Sequence, residues 1–151
     1  VFTVGNQIME SLMIHRKISK QEAKDRAIEM LGLVGIPDPQ RRFYQYPFEL
    51  SGGMRQRVMI AVALACSPKV LIADEPTTAL DVTIQAQIME LLQKLQEEMN
   101  LSYLFISHDI NVVYHMCDRI MVMKDGRMIE IGETEDIFHD PKEAYTKSLL
   151  V

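Results

Sequence analysis

The chain has 151 residues, which is enough for one domain with a hydrophobic core. Its apolar runs are far shorter than the ~20 residues that a membrane-spanning helix needs, so no transmembrane segment is expected. The net charge is -5, and the arginines at 41–42, 55 and 57 are too sparse for the basic face that is typical of free DNA or RNA binding, so such binding is not expected.

The amino-terminal third is predicted to be helical. Apolar residues at helical spacing predict a helix over 6–17, with Ile8, Met9, Leu12 and Met13 on its inner face. Ser19 and Glu22 form a capping-box pattern that opens a second helix. This helix is expected to run to about Val34 and to bury four residues, Ala23, Ala27, Met30 and Leu31. Gly35 and the prolines after it end the helix, and an irregular connection is expected over 40–49 because Pro47 disfavours a regular helix.

From Ser51 onward, helices alternate with short apolar runs. Helices are predicted over 52–66 and 82–99, with a shorter one ending near Cys117, and strands over 70–73 and 103–106. The inner side of the 82–99 helix carries Ile84, Ile88, Leu91, Leu92 and Leu95. Strands that are apolar on both faces and alternate with helices predict an α/β fold, with a parallel sheet covered by helices on both sides.

The last part of the chain begins with a hairpin signal. Asp125-Gly126 separates two apolar runs, 120–123 and 128–131, which predicts a β-hairpin. In the tail, Thr134 and Pro141 are the expected helix starts. Cys66 and Cys117 lie in apolar surroundings, which favours two buried reduced thiols over a disulfide and gives no support for a cysteine metal site.

Polar residues directly follow both predicted parallel strands. Asp74 and Glu75 end the first strand, and His108 follows the second. Because open parallel sheets bind ligands beyond the carboxyl ends of their strands, these side chains are expected to face one crevice. Asp74 suits Mg²⁺, and Glu75 could orient a water that attacks a phosphoryl group. Taken alone, an acidic pair is more often a solvated turn, and a lone histidine is more often structural.

A Ser-Gly-Gly sequence opens the helix predicted from residue 52. Ser51 is a good N-cap, and Gly52 and Gly53 would let an anion approach the free amides at the helix N-terminus. From these three residues alone, a plain capping turn is about as good an interpretation as a phosphate site.

Four motifs carry a resemblance to ATP-binding-cassette (ABC) ATPases. Residues 50–57, LSGGMRQR, resemble the LSGGQ signature, and residues 70–76, VLIADEP, resemble the Walker B strand with its catalytic glutamate. Residues 78–81, TALD, resemble the D-loop, and residues 106–109, ISHD, resemble the H-loop. The motifs stand in the family's order and at its usual separations, and the resemblance extends through both flanks. It implies part of a P-loop NTPase-like ABC nucleotide-binding domain with an α-helical signature subdomain and a C-terminal β-hairpin.

The flanking residues resemble one branch of that family. Residues 45–54, QYPFELSGGM, are similar to the YPHELSGGM of peptide and nickel importers, with Phe48 in place of the histidine. Residues 140–141 and 144–150 resemble a tail element of the same branch. The resemblance favours oligopeptide or dipeptide import over nickel or glutathione import.

No G-x-x-x-x-G-K-[ST] phosphate loop occurs in the 151 residues. The resemblance places that Walker A loop and the Q-loop upstream, so the chain is predicted to be a carboxyl-terminal fragment that is inactive by itself. It would comprise the helical signature subdomain (1–66), the C-terminal part of the ATPase core (67–132) and a helical extension (133–151).

The resemblance also implies residue roles for a bacterial importer's ATP-hydrolysing motor subunit, with ATP and Mg²⁺ as cofactors. Glu75 and His108 would be catalytic, and Asp74 would hold Mg²⁺ through water. The implied nucleotide-binding residues are Ser51, Gly52, Gly53, Met54, Gln56 and Asp81.

The implied partners are a second nucleotide-binding domain, identical or a sister subunit, and transmembrane permease subunits that dock on residues 1–49. An extracytoplasmic substrate-binding protein would be an indirect partner, and the implied location is the cytoplasmic face of the membrane. Three alternatives remain: a non-transport ABC ATPase, an interaction module without catalysis, and a generic Rossmann-like ligand-binding domain. Long coiled-coil insertions or tandem cassettes would indicate the first, and residues 1–49 contain neither.

Overall fold

The computed structural model describes residues 2–150 and shows an α/β chain. The helices are α1 Val4–His15, α2 Lys20–Leu33, α3 Pro39–Arg42, α4 Gly52–Leu64, α5 Val82–Met99, α6 Ile110–Met116, α7 Thr134–His139 and α8 Ala144–Leu149. The strands are β1 Val70–Asp74, β2 Ser102–Ile106, β3 Arg119–Lys124 and β4 Arg127–Glu133, and Pro47–Glu49 forms a 3-10 turn. Within the described range, no helix is both long enough and apolar enough to cross a membrane.

The chain divides into two compact units. Unit 1 contains the residues up to Leu71 together with Pro76–Leu104, and unit 2 contains Ile72–Glu75 together with the residues from Phe105 onward. The boundary follows spatial contacts and falls inside both β1 and β2. The three-part division expected from the sequence therefore stays a prediction.

Strands β1 and β2 pair in the parallel arrangement predicted from the alternation of strands and helices. The amide of Ser102 donates to the carbonyl of Lys69 over 2.9 Å, and the amide of Glu75 donates to that of Ile106 over 2.8 Å. The expectation that these strands are buried on both faces was wrong. Along β1, Leu71 and Ala73 are buried, whereas Val70 and Ile72 are exposed, so the strand buries one face only.

Helices α1, α2 and α4 pack against one another and form the core of unit 1. Ile8 and Leu12 of α1, Met30 and Leu31 of α2 and Leu64 of α4 are all buried. The capping box that opens α2 is present as predicted: Ser19 Oγ accepts from the amide of Glu22, and the Glu22 carboxylate accepts from the amide of Ser19. The apolar face predicted for this helix is buried in full.

Some helix boundaries differ from the prediction. Helix α1 begins at Val4 because the Thr3 side chain caps it, and Met13, predicted to face inward, is exposed. The segment 40–49 is more regular than expected, since it contains the end of α3 and the turn Pro47–Glu49. The Glu49 carboxylate accepts a 2.7 Å hydrogen bond from the amide of Tyr46, and this bond closes the turn.

Unit 2 contains the predicted hairpin, in which β3 and β4 pair antiparallel. Asp125 and Gly126 connect the strands with φ angles of 50° and 74°. Two consecutive left-handed residues are typical of the tight turn that matches the twist of a hairpin, and glycine adopts this conformation without a Cβ penalty.

The tail packs on the hairpin. Helix α7 begins at Thr134 as predicted, whereas the next helix begins at Ala144 and not at Pro141. The Glu130 carboxylate accepts from the amides of Lys142 (2.8 Å) and Glu143 (3.1 Å). These bonds hold residues 142–143 outside the helix and delay its start.

Both cysteines are free thiols, as predicted, but they are half-buried and not fully buried. Burial is the main cause that raises the pKa of the Cys117 thiol, with Asp118 adding to it. Cys66 lies against Ser11, whose carbonyl accepts from its sulfur over 3.5 Å. No group of three or more metal-ligating His, Cys, Asp or Glu side chains occurs within residues 2–150.

Candidate functional site

The residues predicted from the sequence form two clusters, one in each compact unit. Unit 1 holds the turn Ser51–Gly53, called here the signature turn, and the residues from Thr77 to Asp81, called here the 77–81 turn. Unit 2 holds Asp74, Glu75 and His108 beyond the ends of β1 and β2.

The signature turn is the N-terminus of α4. Ser51 Oγ accepts from the amide of Met54 over 3.3 Å, and the Ser51 carbonyl accepts from the amide of Arg55 over 2.9 Å. In the described part of the chain, no hydrogen-bond partner is recorded for the amides of Gly52 and Gly53. These two amides, at the positive end of the α4 dipole, are available to an anion.

The first turn of α4 lies directly against the residues that open α5. A Cβ on Gly53 would come within 2.8 Å of Ile84 Cγ2, which is closer than real Cβ contacts allow. A Cβ on Gly52 would meet Leu80 Cδ2 at 3.6 Å, an ordinary contact. Gly53 is therefore needed for this approach of the two helices, while Gly52 is not.

The 77–81 turn contains an unusual backbone conformation. Ala79 has a φ of 66°, in the left-handed region that non-glycine residues rarely adopt. The Thr77 carbonyl accepts from the amide of Leu80 and from Gln85 Nε2, each over 3.2 Å. Asp81 then caps α5, since its Oδ1 accepts from the amide of Ile84 over 3.0 Å. Local strain of this kind is concentrated at functional sites.

In unit 2, Glu75 and His108 are in direct contact. Glu75 has a φ of 45°, and its amide is held by the carbonyl of Ile106. The His108 ring reaches back to the Glu75 carboxylate, with 2.9 Å between Nδ1 and Oε1. The side chains are 40% exposed for Glu75 and 78% exposed for His108, so the pair is open to solvent.

The carboxylate changes the protonation of the imidazole. The hydrogen bond to Glu75 is the largest cause that raises the pKa of His108, and the negative charges of Glu75 and Asp109 add to the effect. His108 is thus protonated over a wider pH range than a free histidine, and its second ring nitrogen can donate to an anion.

Asp74 is exposed at the end of β1, and no hydrogen bond or ion pair of its side chain is recorded within residues 2–150. A single exposed carboxylate suits Mg²⁺, which prefers oxygen ligands and keeps several waters. Met54 and Gln56 are half-buried on α4, and Met54 contributes its amide to the Ser51 cap. In unit 2 the Asp74 carboxylate therefore fits a hydrated divalent cation, and in unit 1 the amides of Gly52 and Gly53 fit a phosphate.

Sequence reasoning missed two residues of these elements. Gln85 binds the Thr77 carbonyl, and Arg57 Nη1 donates over 2.8 Å to the carbonyl of Val34, the C-cap of α2. Gln85 carries no sequence signal, and Arg57 lies in the 50–57 motif without a sign of its contact with α2, because both contacts depend on tertiary packing.

Two curated relatives match almost the whole chain. The oligopeptide transport ATP-binding protein of Bacillus subtilis is 58% identical over 147 residues, covering 97% of this chain and 41% of the relative. The dipeptide transport ATP-binding protein of the same organism is 55% identical over 148 residues, covering 98% of this chain and 44% of the relative. The chain thus spans less than half the length of these relatives.

A solved structure has the same fold. A dimeric ATP-binding cassette in a post-hydrolysis state, bound to ADP and phosphate, superposes with a TM-score of 0.75 at 35% identity. The match covers 89% of this chain and 57% of the other.

The model of the ABC transporter family matches residues 2–78, just over half of the 151 residues, and this range includes the signature turn, Asp74 and Glu75. The chain belongs to the ABC transporter family.

Proposed function

We propose that this chain is the carboxyl-terminal part of the ATP-hydrolysing subunit of a bacterial peptide importer. The observation that carries the proposal is the contact between Glu75, at the end of β1, and His108. Strand β1 lies within the residues that the ABC transporter family model matches. Two relatives of the chain are named for oligopeptide and dipeptide transport. The match covers only 41% and 44% of those relatives, which supports a functional protein that is longer than this chain.

The signature turn is proposed to bind the terminal phosphate of ATP held by a second cassette. The available amides of Gly52 and Gly53 and the Ser51 hydroxyl supply hydrogen-bond donors at a helix N-terminus. Met54 and Gln56 follow in the same helix, and Asp81 would link the two nucleotide sites. The dimeric arrangement of the solved ATP-binding cassette supports a paired assembly.

Glu75 is proposed to orient and deprotonate the water that attacks the terminal phosphate, and His108 to donate a hydrogen bond to that phosphate. The 2.9 Å contact orients the imidazole, so that Nδ1 faces the carboxylate and Nε2 remains available to a ligand. Asp74 would hold Mg²⁺ through water, and the cation would supply charge neutralisation at the phosphates.

The proposed partners are a second nucleotide-binding domain and transmembrane permease subunits, at the cytoplasmic face of the membrane. Apolar side chains are exposed before α1 (Phe2), at its end (Met13 and Ile14) and before the signature turn (Tyr44 and Phe48), and these are proposed as contacts for the permease. An extracytoplasmic substrate-binding protein would act only through the permease.

The test is Mg²⁺-ATP turnover by the chain alone and by a complete cassette. In the complete cassette, this chain replaces the matching segment of the Bacillus subtilis oligopeptide relative. We expect no turnover from the chain alone, because it contains no phosphate loop, and turnover from the folded complete cassette. Turnover by the chain alone, or none by a folded complete cassette that binds ATP, would contradict the proposal.

Glu75→Gln in the complete cassette is expected to lower turnover by at least ~100-fold while ATP binding is retained, as for loss of a general base. Glu97→Gln is the matched control, because Glu97 is an exposed residue of α5 outside the site. Unchanged turnover in Glu75→Gln would remove Glu75 from the catalytic role. Stimulation of turnover by permease subunits would separate an importer from a non-transport ABC ATPase.

A further inference from the structure

We propose that Gln85 is a positioning residue: its amide fixes the 77–81 turn, which in turn sets the position of the signature turn in the same chain. This inference rests on the proposed function of the signature turn. All of the residues concerned lie in unit 1.

The 77–81 turn is closed at one carbonyl. The Thr77 carbonyl oxygen accepts both the amide of Leu80, which closes the turn, and Gln85 Nε2, which ties the turn to α5. Thr77 is buried and Gln85 is half-buried, so neither bond is fully exposed to competing water. Because Ala79 lies in the left-handed region, the turn carries a conformational cost that surrounding contacts must offset.

The 77–81 turn and the start of α5 both lie against the signature turn, through Leu80 and Ile84 respectively. Leu80 lies 3.6 Å from the Cβ position of Gly52, and Ile84 lies 2.8 Å from that of Gly53. Ile84 is β-branched and has little rotamer freedom in a helix, so it cannot yield to a shift of the glycines. Because Gln85 ties the 77–81 turn to α5, a displacement of the turn relative to α5 moves Leu80 relative to Ile84 and changes the packing against the first turn of α4.

In this proposal Gln85 acts through packing, because its side-chain amide donates to a backbone carbonyl. Loss of the Gln85 hydrogen bond should let Leu80 move away from Gly52. The amides of Gly52 and Gly53, which are proposed to bind the phosphate, should then be held less firmly in place. Transition-state stabilisation depends on the placement of such donors to within a fraction of an ångström. ATP affinity should change little, since the phosphate loop that cradles the phosphates is not in this chain.

The first measurement uses the 151-residue chain. Gln85→Met preserves size and helix propensity but removes the donor, and Gln87→Met makes the same change at an exposed position of α5. We expect amide hydrogen exchange of Leu80 to be faster by about 5–10-fold in Gln85→Met, as for the loss of one hydrogen bond. Exchange in α2 should be unchanged, which separates local loosening from global unfolding. Equal exchange in Gln85→Met and Gln87→Met would overturn the proposal.

The second measurement uses the complete cassette, well below its thermal transition. There we expect kcat to fall by about 5–10-fold in Gln85→Met with KM within about twofold of the parent, and no change in Gln87→Met. A purely structural role would leave kcat of the folded protein unaltered, and that result would overturn the functional part of the inference. Absence of turnover in the folded parent would instead overturn the proposed function itself.

Discussion

The contact between Glu75 and His108 links the strand-end carboxylate to the residue after the neighbouring strand. It also makes the charge of the histidine depend on the charge of the glutamate, because the raised pKa of His108 is due first to that hydrogen bond. A group whose folded pKa is raised stabilises the fold below its unfolded pKa. That contribution is lost as pH rises through the folded pKa.

Glu75→Gln is therefore expected to lower the pKa of His108 toward the ordinary histidine value of about 6.5. Both the hydrogen bond to a carboxylate and its negative charge disappear in this variant. An NMR titration of the imidazole resonances measures the change. Asp74→Asn is the control, because the adjacent Asp74 is not among the causes of the shift. An unaltered His108 pKa in Glu75→Gln would show that the two side chains do not interact in solution.

At the scale of elements, the approach of α4 to α5 depends on a glycine that helix formation itself does not need. Alanine is favoured over glycine inside helices, so helix propensity does not account for Gly53, whereas its packing does. The nearest atom belongs to Ile84, a stiff side chain on the opposing helix. The absence of a Cβ on Gly53 thus decides how near the signature turn comes to α5.

Gly53→Ala is expected to destabilise the chain by about 1–3 kcal/mol, since the added methyl would overlap Ile84 Cγ2. Gly52→Ala places its methyl at an ordinary distance from Leu80. It should be neutral or should stabilise by up to ~1 kcal/mol through helix propensity. Urea unfolding of both variants measures the difference. Equal stabilities would mean that the helices separate in solution.

At the scale of the whole molecule, the chain leaves apolar surface open to solvent. In unit 2, one face of the hairpin carries Met121 opposite Ile131 and Met123 opposite Met128, and each is 46–58% exposed. Val122, on the other face, is buried. Contiguous apolar patches of this kind are uncommon on monomers and favour association.

The chain is therefore expected to bind a hydrophobic dye and to self-associate in a concentration-dependent way. The double variant Met121→Lys/Met123→Lys should reduce both, because two charges on this face oppose burial. Met59→Lys, at an exposed methionine of α4, is the control. Dye fluorescence and sedimentation velocity are the measurements. Unchanged dye binding and self-association in the hairpin variant would show that the chain does not associate through the exposed methionines.

Local patterns were sufficient for most of the elements. The Ser19–Glu22 capping box, the bounds of α5, the Asp125-Gly126 turn and the start of α7 were predicted and are confirmed. Each depends on residues within a few positions of one another, and short-range hydrogen bonds and side-chain periodicity determine it. The family was likewise identifiable from four ordered motifs, and the match of the family model confirms it.

Sequence alone therefore determined the fold class, the family and the strand-end position of the candidate acidic and histidine residues. The tertiary structure decided which of them touch: the 2.9 Å contact of His108 with Glu75, the packing of Ile84 on Gly53 and the bond from Gln85 to Thr77. It also decided that β1 exposes Val70 and Ile72, where the apolar pattern had predicted burial on both faces. The physical reason is the sequence separation of the interacting residues. Periodicity over a few residues indicates which side chains can be buried, whereas packing between distant segments determines what lies against them.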